Sequence, residues 1–210
     1  MSLKNLKKEL LPVSIFFSIG FIISFILLNL YTKGDQLYYQ QYYEFVKGKN
    51  IFDTLIAGRL GLNAGEPVSL LTLWLGSNLG FSKNIFISVL NGIFSSLIYL
   101  FLDKYNYKNL TILFILNYNV IVLFLSAERL KIAFIFIILA LLSKGKKSYF
   151  YFIMSILSHF QILILIPSII IKNTYSSIKI LINKSSIYKK DLLFIIVNLT
   201  TLLIFFILFF

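Results

Sequence analysis

The chain has no cysteine and a single histidine, His159, among its 210 residues. Without cysteine there is no disulfide framework, no thiolate zinc site and no cysteine nucleophile. A single histidine likewise excludes a multi-histidine metal cluster, and the few acids are scattered along the chain. We therefore expect neither a metal nor an organic cofactor.

Charge is also scarce. Charged residues make up 13% of the chain and hydrophobic residues 59%, whereas a soluble domain carries about 25% and about 45–50%. So few charges cannot build a water-facing shell, and the composition predicts an all-α, multi-pass integral membrane protein. Lysine and arginine outnumber the acids 20 to 8. Because the lysines fall between apolar runs, we expect membrane lipids or lipid-linked phosphates to meet them, and not nucleic acid.

Apolar runs recur along the chain, and a spanning helix needs about 20 such residues. We predict about six to seven membrane segments within a single membrane domain over residues 1–210. The basic start resembles a secretion signal, but its apolar stretch is too long, which predicts an uncleaved first helix. Residues 68–81 are short, so they suit a re-entrant helix as well as a full span. The apolar runs are residues 12–30, 68–81, 85–102, 110–143, 149–171 and 192–210.

Residues 32–66 form the longest polar stretch and hold four of the eight acids together with several tyrosines. Lysines near the N-terminus favour a cytoplasmic start, which would place this tyrosine-rich loop outside the cell. Polar loops carry a disproportionate share of binding and catalytic residues. We therefore expect the chemistry to reside here, while the topology after residue 67 stays open.

Within this loop, Asp35, Tyr39 and Tyr42 are spaced i, i+4 and i+7, with Tyr38 beside them. On a short helix they would share one face. Tyrosines beside a carboxylate suit the stacking of sugar rings, while the acid accepts a hydroxyl proton. The alternative is an interfacial aromatic belt, which many membrane proteins have.

Two further charged positions stand beside apolar runs. Glu66 precedes Pro67, an arrangement that ordinary helix N-terminal chemistry also explains. Arg129 stands with Glu128 and Lys131 inside an apolar stretch, where charges are costly. A guanidinium there suits bidentate binding of a phosphate or pyrophosphate. The alternatives are a pair with Glu128 or with a neighbouring helix, or snorkelling to the interface.

His159 is expected about ten residues inside the span of residues 149–171, followed by Gln161 and Pro167. A lone histidine within a membrane helix is often an interhelical hydrogen-bond partner.

Read in order, these residues resemble the EpsG-like family of polysaccharide polymerases, which act like the Wzy polymerases of capsule, exopolysaccharide and O-antigen assembly. The matching elements cover roughly residues 15–172. Two positions depart from the family pattern, Leu130 after the arginine and Gln161 after the histidine, and the chain looks short at both ends. A divergent, truncated or inactive member is therefore one reading. The elements are Gly34-Asp35 with Tyr38, Tyr39 and Tyr42, then Glu66-Pro67, then Arg129 with Ile132-Ala133, and last His159-x-Gln161.

The resemblance implies a glycosyltransferase-type enzyme in the bacterial cytoplasmic (inner) membrane. It would polymerise undecaprenyl-pyrophosphate-linked oligosaccharide repeat units at the outer face, together with other polysaccharide assembly proteins. The implied catalytic residues are Asp35, Arg129, His159 and Glu66, with Asp35 first choice as the base. Those implied to bind substrate are Tyr38, Tyr39, Tyr42, Arg59 and Gln161. Alternative functions are a small transporter or channel subunit, or a non-catalytic remnant of a polymerase.

Overall fold

The structure is a computed structural model that describes residues 3–164. All regular structure in this part is helical, as the composition predicts. Two short 3-10 turns, Lys108–Leu110 and Phe160–Ile164, complete it. The α-helices of the described part are α1 (Leu3–Leu30), α2 (Asp35–Phe45), α3 (Ile51–Gly61), α4 (Pro67–Asn78), α5 (Lys83–Lys104), α6 (Thr111–Ile115), α7 (Tyr118–Leu125), α8 (Glu128–Leu142) and α9 (Lys146–Ser158).

Two helices are long and apolar enough to cross a membrane, at Leu10–Leu30 of α1 and at α5. A third candidate span is the bent pair Lys108–Ile115 and Tyr118–Leu125, whose two parts meet at 60°. These positions agree with the spans expected near residues 12–30 and 85–102. The run at 192–210 lies outside the described residues, and the total of six to seven segments stays a prediction.

α1 and α5 pack side by side through small residues. A side chain added at Gly20 would place its Cβ 2.1 Å from the Ser95 hydroxyl, and one added at Gly92 would lie 2.9 Å from the Phe17 ring. Such close approach is how membrane helices gain packing contacts without a hydrophobic driving force. In the most apolar stretch of α1 only 11% of the residues are buried, compared with 56% in that of α5. α1 is therefore peripheral, and α5 is central.

The polar connection of residues 32–66 folds largely as the two helices α2 and α3. Tyr39, Tyr42 and Tyr43 on α2 and Val46 just after it are buried in a cluster that includes Leu70 and Leu73 of α4. The tyrosines therefore form much of the packing core of this region. On which side of the membrane the connection lies stays a prediction.

α4 has 12 residues, about 18 Å at 1.5 Å per residue. This is shorter than the roughly 30 Å hydrocarbon core, so of the two alternatives for residues 68–81 the structure favours partial insertion. The expectation of one helix over residues 149–171 is wrong, because α9 ends at Ser158 and His159 is extended, with φ −164° and ψ 117°.

By contacts between Cα atoms, the chain divides into two compact units, residues 1–160 and 161–210. The site described below lies within the first unit. Of the second unit the structure describes residues 161–164. The single membrane domain over residues 1–210 stays a prediction.

Candidate functional site

Glu66 is the centre of an ion-paired cluster. It stands at the N-cap of α4 and is buried. One carboxylate oxygen lies 2.8 Å from Nη1 of Arg129, and the other lies 3.0 Å from Nδ1 of His159. These partners are 63 and 93 residues away in sequence. Three residues expected to be catalytic therefore meet, and both oxygens of Glu66 are engaged.

Arg129 is held in a fixed orientation, but not all of its hydrogen-bond donors are used. Its Nε donates to the Tyr39 hydroxyl at 3.3 Å, in addition to the Nη1 bond to Glu66. Within residues 3–164 the structure gives Nη2 no hydrogen-bond partner, and the side chain remains 23% exposed. The pair with Glu128 considered from the sequence is not formed. A guanidinium fixed on two sides with one nitrogen open is arranged to receive an anion.

Asp35 and Arg129 line the same pocket, which has a volume of about 280 Å³. Tyr38, Tyr39 and Asn63 also line it. Asp35 is exposed, and its carboxylate has no hydrogen-bond or ion-pair partner in the described part of the chain. The pocket therefore combines an unpaired carboxylate with a cation.

Three helices begin at this cluster: α2 at Asp35, α4 after Glu66 and α8 just before Arg129. None of the three has a side chain that caps its N-terminal N–H groups. By contrast, Asn50, Ser82 and Asn117 cap α3, α5 and α7, while α9 also begins without a cap. Uncapped N-termini carry partial positive charge and free N–H donors, which favour an anion.

The end of α9 places His159. Ser69 on α4 donates to the Ser158 carbonyl at 2.5 Å, and Ser155 donates to the Ala133 carbonyl of α8 at 2.9 Å. These bonds fix the helix end beside Glu66. An ionised carboxylate only accepts, so the Nδ1–H of His159 donates to Glu66.

The pKa of Glu66 follows from this environment. Burial alone would raise the pKa of the carboxyl, but the charge of Arg129 and the hydrogen bonds from His159 and Arg129 outweigh burial and lower it. Burial raises the pKa of Tyr39, an effect that the nearby Arg129 only partly offsets. Glu66 is therefore ionised and Tyr39 neutral at pH 7.

The residues expected to bind substrate do not all line this pocket. Tyr38 is exposed, whereas Tyr42 is buried and its hydroxyl donates to the Thr54 carbonyl at 3.3 Å. Arg59 lines a neighbouring pocket of about 480 Å³ that shares Asn63 with the first. Gln161 begins the second unit, and its role stays a prediction.

A second polar network, which the sequence did not reveal, involves the residues next to Asp35 and Arg129. The amide of Gln36 donates to Glu128 at 2.9 Å, and Lys131 pairs with Glu128 at 2.8 Å. Lys83 donates to the backbone carbonyl of Gln36 at 3.2 Å. The side chains of Glu128 and Lys131 are fully buried. In the sequence, the only sign of this network is that Gln36 follows Asp35 and Glu128 precedes Arg129.

In the described part of the chain, no three His, Asp or Glu side chains are grouped to hold a metal ion. The fold and the cluster define an all-α membrane protein with an ion-paired site where helix ends converge. The chain belongs to the EpsG family, whose match covers residues 11–210, and this family is linked to exopolysaccharide biosynthesis. The resemblance drawn from the motifs is therefore confirmed at the level of the family. No curated protein and no solved structure is significantly similar to the chain.

Proposed function

We propose that this protein polymerises lipid-linked oligosaccharide repeat units at the outer face of the bacterial cytoplasmic membrane. The growing glycan on an undecaprenyl pyrophosphate carrier would pass to a sugar hydroxyl of an incoming lipid-linked unit. One observation carries the proposal: an unpaired Asp35 and a guanidinium with an open nitrogen line one pocket. Membership of a family linked to exopolysaccharide biosynthesis supports it.

The proposed reaction exchanges one bond for another. The acceptor hydroxyl oxygen forms a bond to the anomeric carbon of the growing glycan, and the bond from that carbon to the pyrophosphate oxygen breaks. Asp35 accepts the hydroxyl proton as general base. The leaving pyrophosphate gains negative charge, which Arg129 and the uncapped N-termini of α2 and α8 stabilise.

Glu66 has a positioning role in this proposal. Both of its oxygens are engaged by Arg129 and His159, so it is less suited than Asp35 to accept a proton from substrate. It fixes the guanidinium and the imidazole in place, because charge-assisted hydrogen bonds are short and directional. His159 is held by the same carboxylate.

A transporter or channel subunit would need polar groups along a path through the membrane. Asp35 and Arg129 instead stand at helix N-termini around one pocket. This placement favours a reaction site over a conduction path.

The test is to replace Asp35 and Arg129 separately, as Asp35→Asn and Arg129→Gln, and to follow glycan chain length on gels. We expect long chains to disappear while single repeat units remain. Asp103→Asn and Lys108→Gln are matched controls, because these residues form an exposed pair outside the site. Unchanged chain length in both site variants would refute the assignment. No change on deleting the whole gene would indicate a non-catalytic remnant.

A further inference from the structure

A groove between α2 and α3 adjoins the charged pocket. It has a volume of about 400 Å³, which is within the usual range for small-molecule sites. Tyr38, Gln41 and Phe45 line it from α2, and Ala57 and Leu60 line it from α3. The α2 residues follow helical spacing, so the groove runs along the helix for about two turns, roughly 10 Å.

The lining of this α2–α3 groove is mainly apolar. Its polar side-chain groups are the Tyr38 hydroxyl, the Gln41 amide and the Tyr42 hydroxyl, and the last already donates to the Thr54 carbonyl. Phe45 and Leu60, which line the groove, are 56% and 81% exposed. Exposed apolar side chains of this size mark contact with a membrane or another apolar partner.

One end of the groove adjoins the charged pocket, because Tyr38, Leu60 and Gly61 line both cavities. The other end, at Phe45, lies near the C-terminus of α2. A ligand that occupies both cavities would have an anionic head beside Arg129 and an apolar body extending along α2. A glycan would fit less well, since sugar hydroxyls need many hydrogen-bond partners and the groove offers few.

We propose that the α2–α3 groove holds the first isoprenoid units of the lipid carrier while its pyrophosphate occupies the charged pocket. This assignment rests on the proposed function and adds to it the subsite for the apolar chain. The glycan would then extend on the opposite side, toward the pocket that contains Arg59 and Asn63.

The experiment measures equilibrium binding of undecaprenyl pyrophosphate and of inorganic pyrophosphate to the full-length chain in detergent. Ala57→Trp fills the groove, and Leu37→Trp introduces the same residue at an exposed position on α2 outside it. Because each buried methylene contributes about 0.8 kcal/mol, loss of a few contacts should weaken lipid binding at least about tenfold. We expect inorganic pyrophosphate binding to be unchanged, and Leu37→Trp to bind both probes normally.

Phe45→Ala is a second variant, since Phe45 lines the groove but not the charged pocket and is 56% exposed. Normal lipid binding by both groove variants would overturn the assignment. Equally weakened binding of both probes in both variants would also overturn the assignment, because the effect would not be confined to the apolar chain. Weaker binding of the free oligosaccharide, with lipid binding intact, would assign the groove to the glycan instead. The proposed function fails separately, if Asp35→Asn and Arg129→Gln leave chain length unchanged.

Discussion

Two charge clusters lie next to one another, and neighbouring residues supply both. Asp35 and Arg129 line the pocket, whereas Gln36 and Glu128, each one position away, turn into the protein. In the pocket cluster Asp35 is unpaired, while in the buried cluster Glu128 and Lys131 are fully enclosed and paired. Successive residues on a helix point about 100° apart, so one helix end can serve both purposes. The pocket cluster is therefore available to a ligand, whereas the buried cluster holds the helices together.

The strongest test of this comparison is Glu128→Leu. Removing one partner of a buried ion pair leaves Lys131 uncompensated, which costs about 3–5 kcal/mol of folding free energy. We expect a large loss of folded protein, measured by size-exclusion chromatography and thermal unfolding in detergent. The double variant Glu128→Leu with Lys131→Met should recover much of that loss. A single variant as stable as the natural chain would contradict the structural role of the buried cluster.

The next largest effect should come from Arg129→Lys, which acts on the pocket cluster. Lysine keeps the charge but lacks the planar guanidinium whose fixed donors can bond Glu66, Tyr39 and a phosphate in different directions. We expect polymerisation to fall by about 10²–10³-fold, as when one donor to a developing anion is removed. The thermal midpoint should change much less than in Glu128→Leu. Chain length on gels and thermal unfolding together measure the contrast.

Glu66→Gln weakens the contacts that hold Arg129 and His159 and leaves the residues that line the pocket unchanged. Hydrogen bonds to charged groups contribute about 1.5–3 kcal/mol, so we expect a loss of polymerisation of about 10- to 100-fold. Glu44→Gln is the matched control, because Glu44 is exposed and its side chain accepts from Gln40. Full activity in Glu66→Gln would show that the carboxylate does not position the guanidinium.

Acid should produce the smallest effect. Because the pKa of Glu66 is lowered from its ordinary value of 4.5, its ionised form stabilises the fold above that pH. The stabilisation is lost as the pH falls through the lowered folded-state pKa. The difference in stability between the natural chain and Glu66→Gln should therefore shrink on acidification from about pH 6 to about pH 3. A difference that grows over that interval would contradict the assignment.

Much of the helical framework was predictable, because hydropathy is a local property of sequence. The runs at 12–30 and 85–102 exceed the length that a bilayer demands, and the structure has candidate spans there. The helices α2 and α3 were harder to foresee, since their apolar residues are tyrosines and short aliphatic groups mixed with polar ones. Their burial depends on packing against α4, which no local pattern encodes.

The site was predictable as a set of residues but not as a geometry. Asp35, Glu66, Arg129 and His159 stood out as ionisable groups beside apolar runs. That Glu66 would engage both Arg129 and His159 depends on separations of 63 and 93 residues, which sequence spacing cannot resolve. The break of α9 at His159 was also missed, because the apolar run continues through it to residue 171.

The close contact between Gly20 of α1 and Ser95 of α5 has a practical consequence for the design of fusion proteins. Replacing α1 by a generic signal anchor of equal hydropathy would still insert, because insertion responds to apolarity over about 20 residues. Such a chimera would nevertheless carry a bulky side chain where α5 leaves no room, and the two helices would separate. An expression tag should therefore be joined ahead of the first helix, with that helix kept as it is.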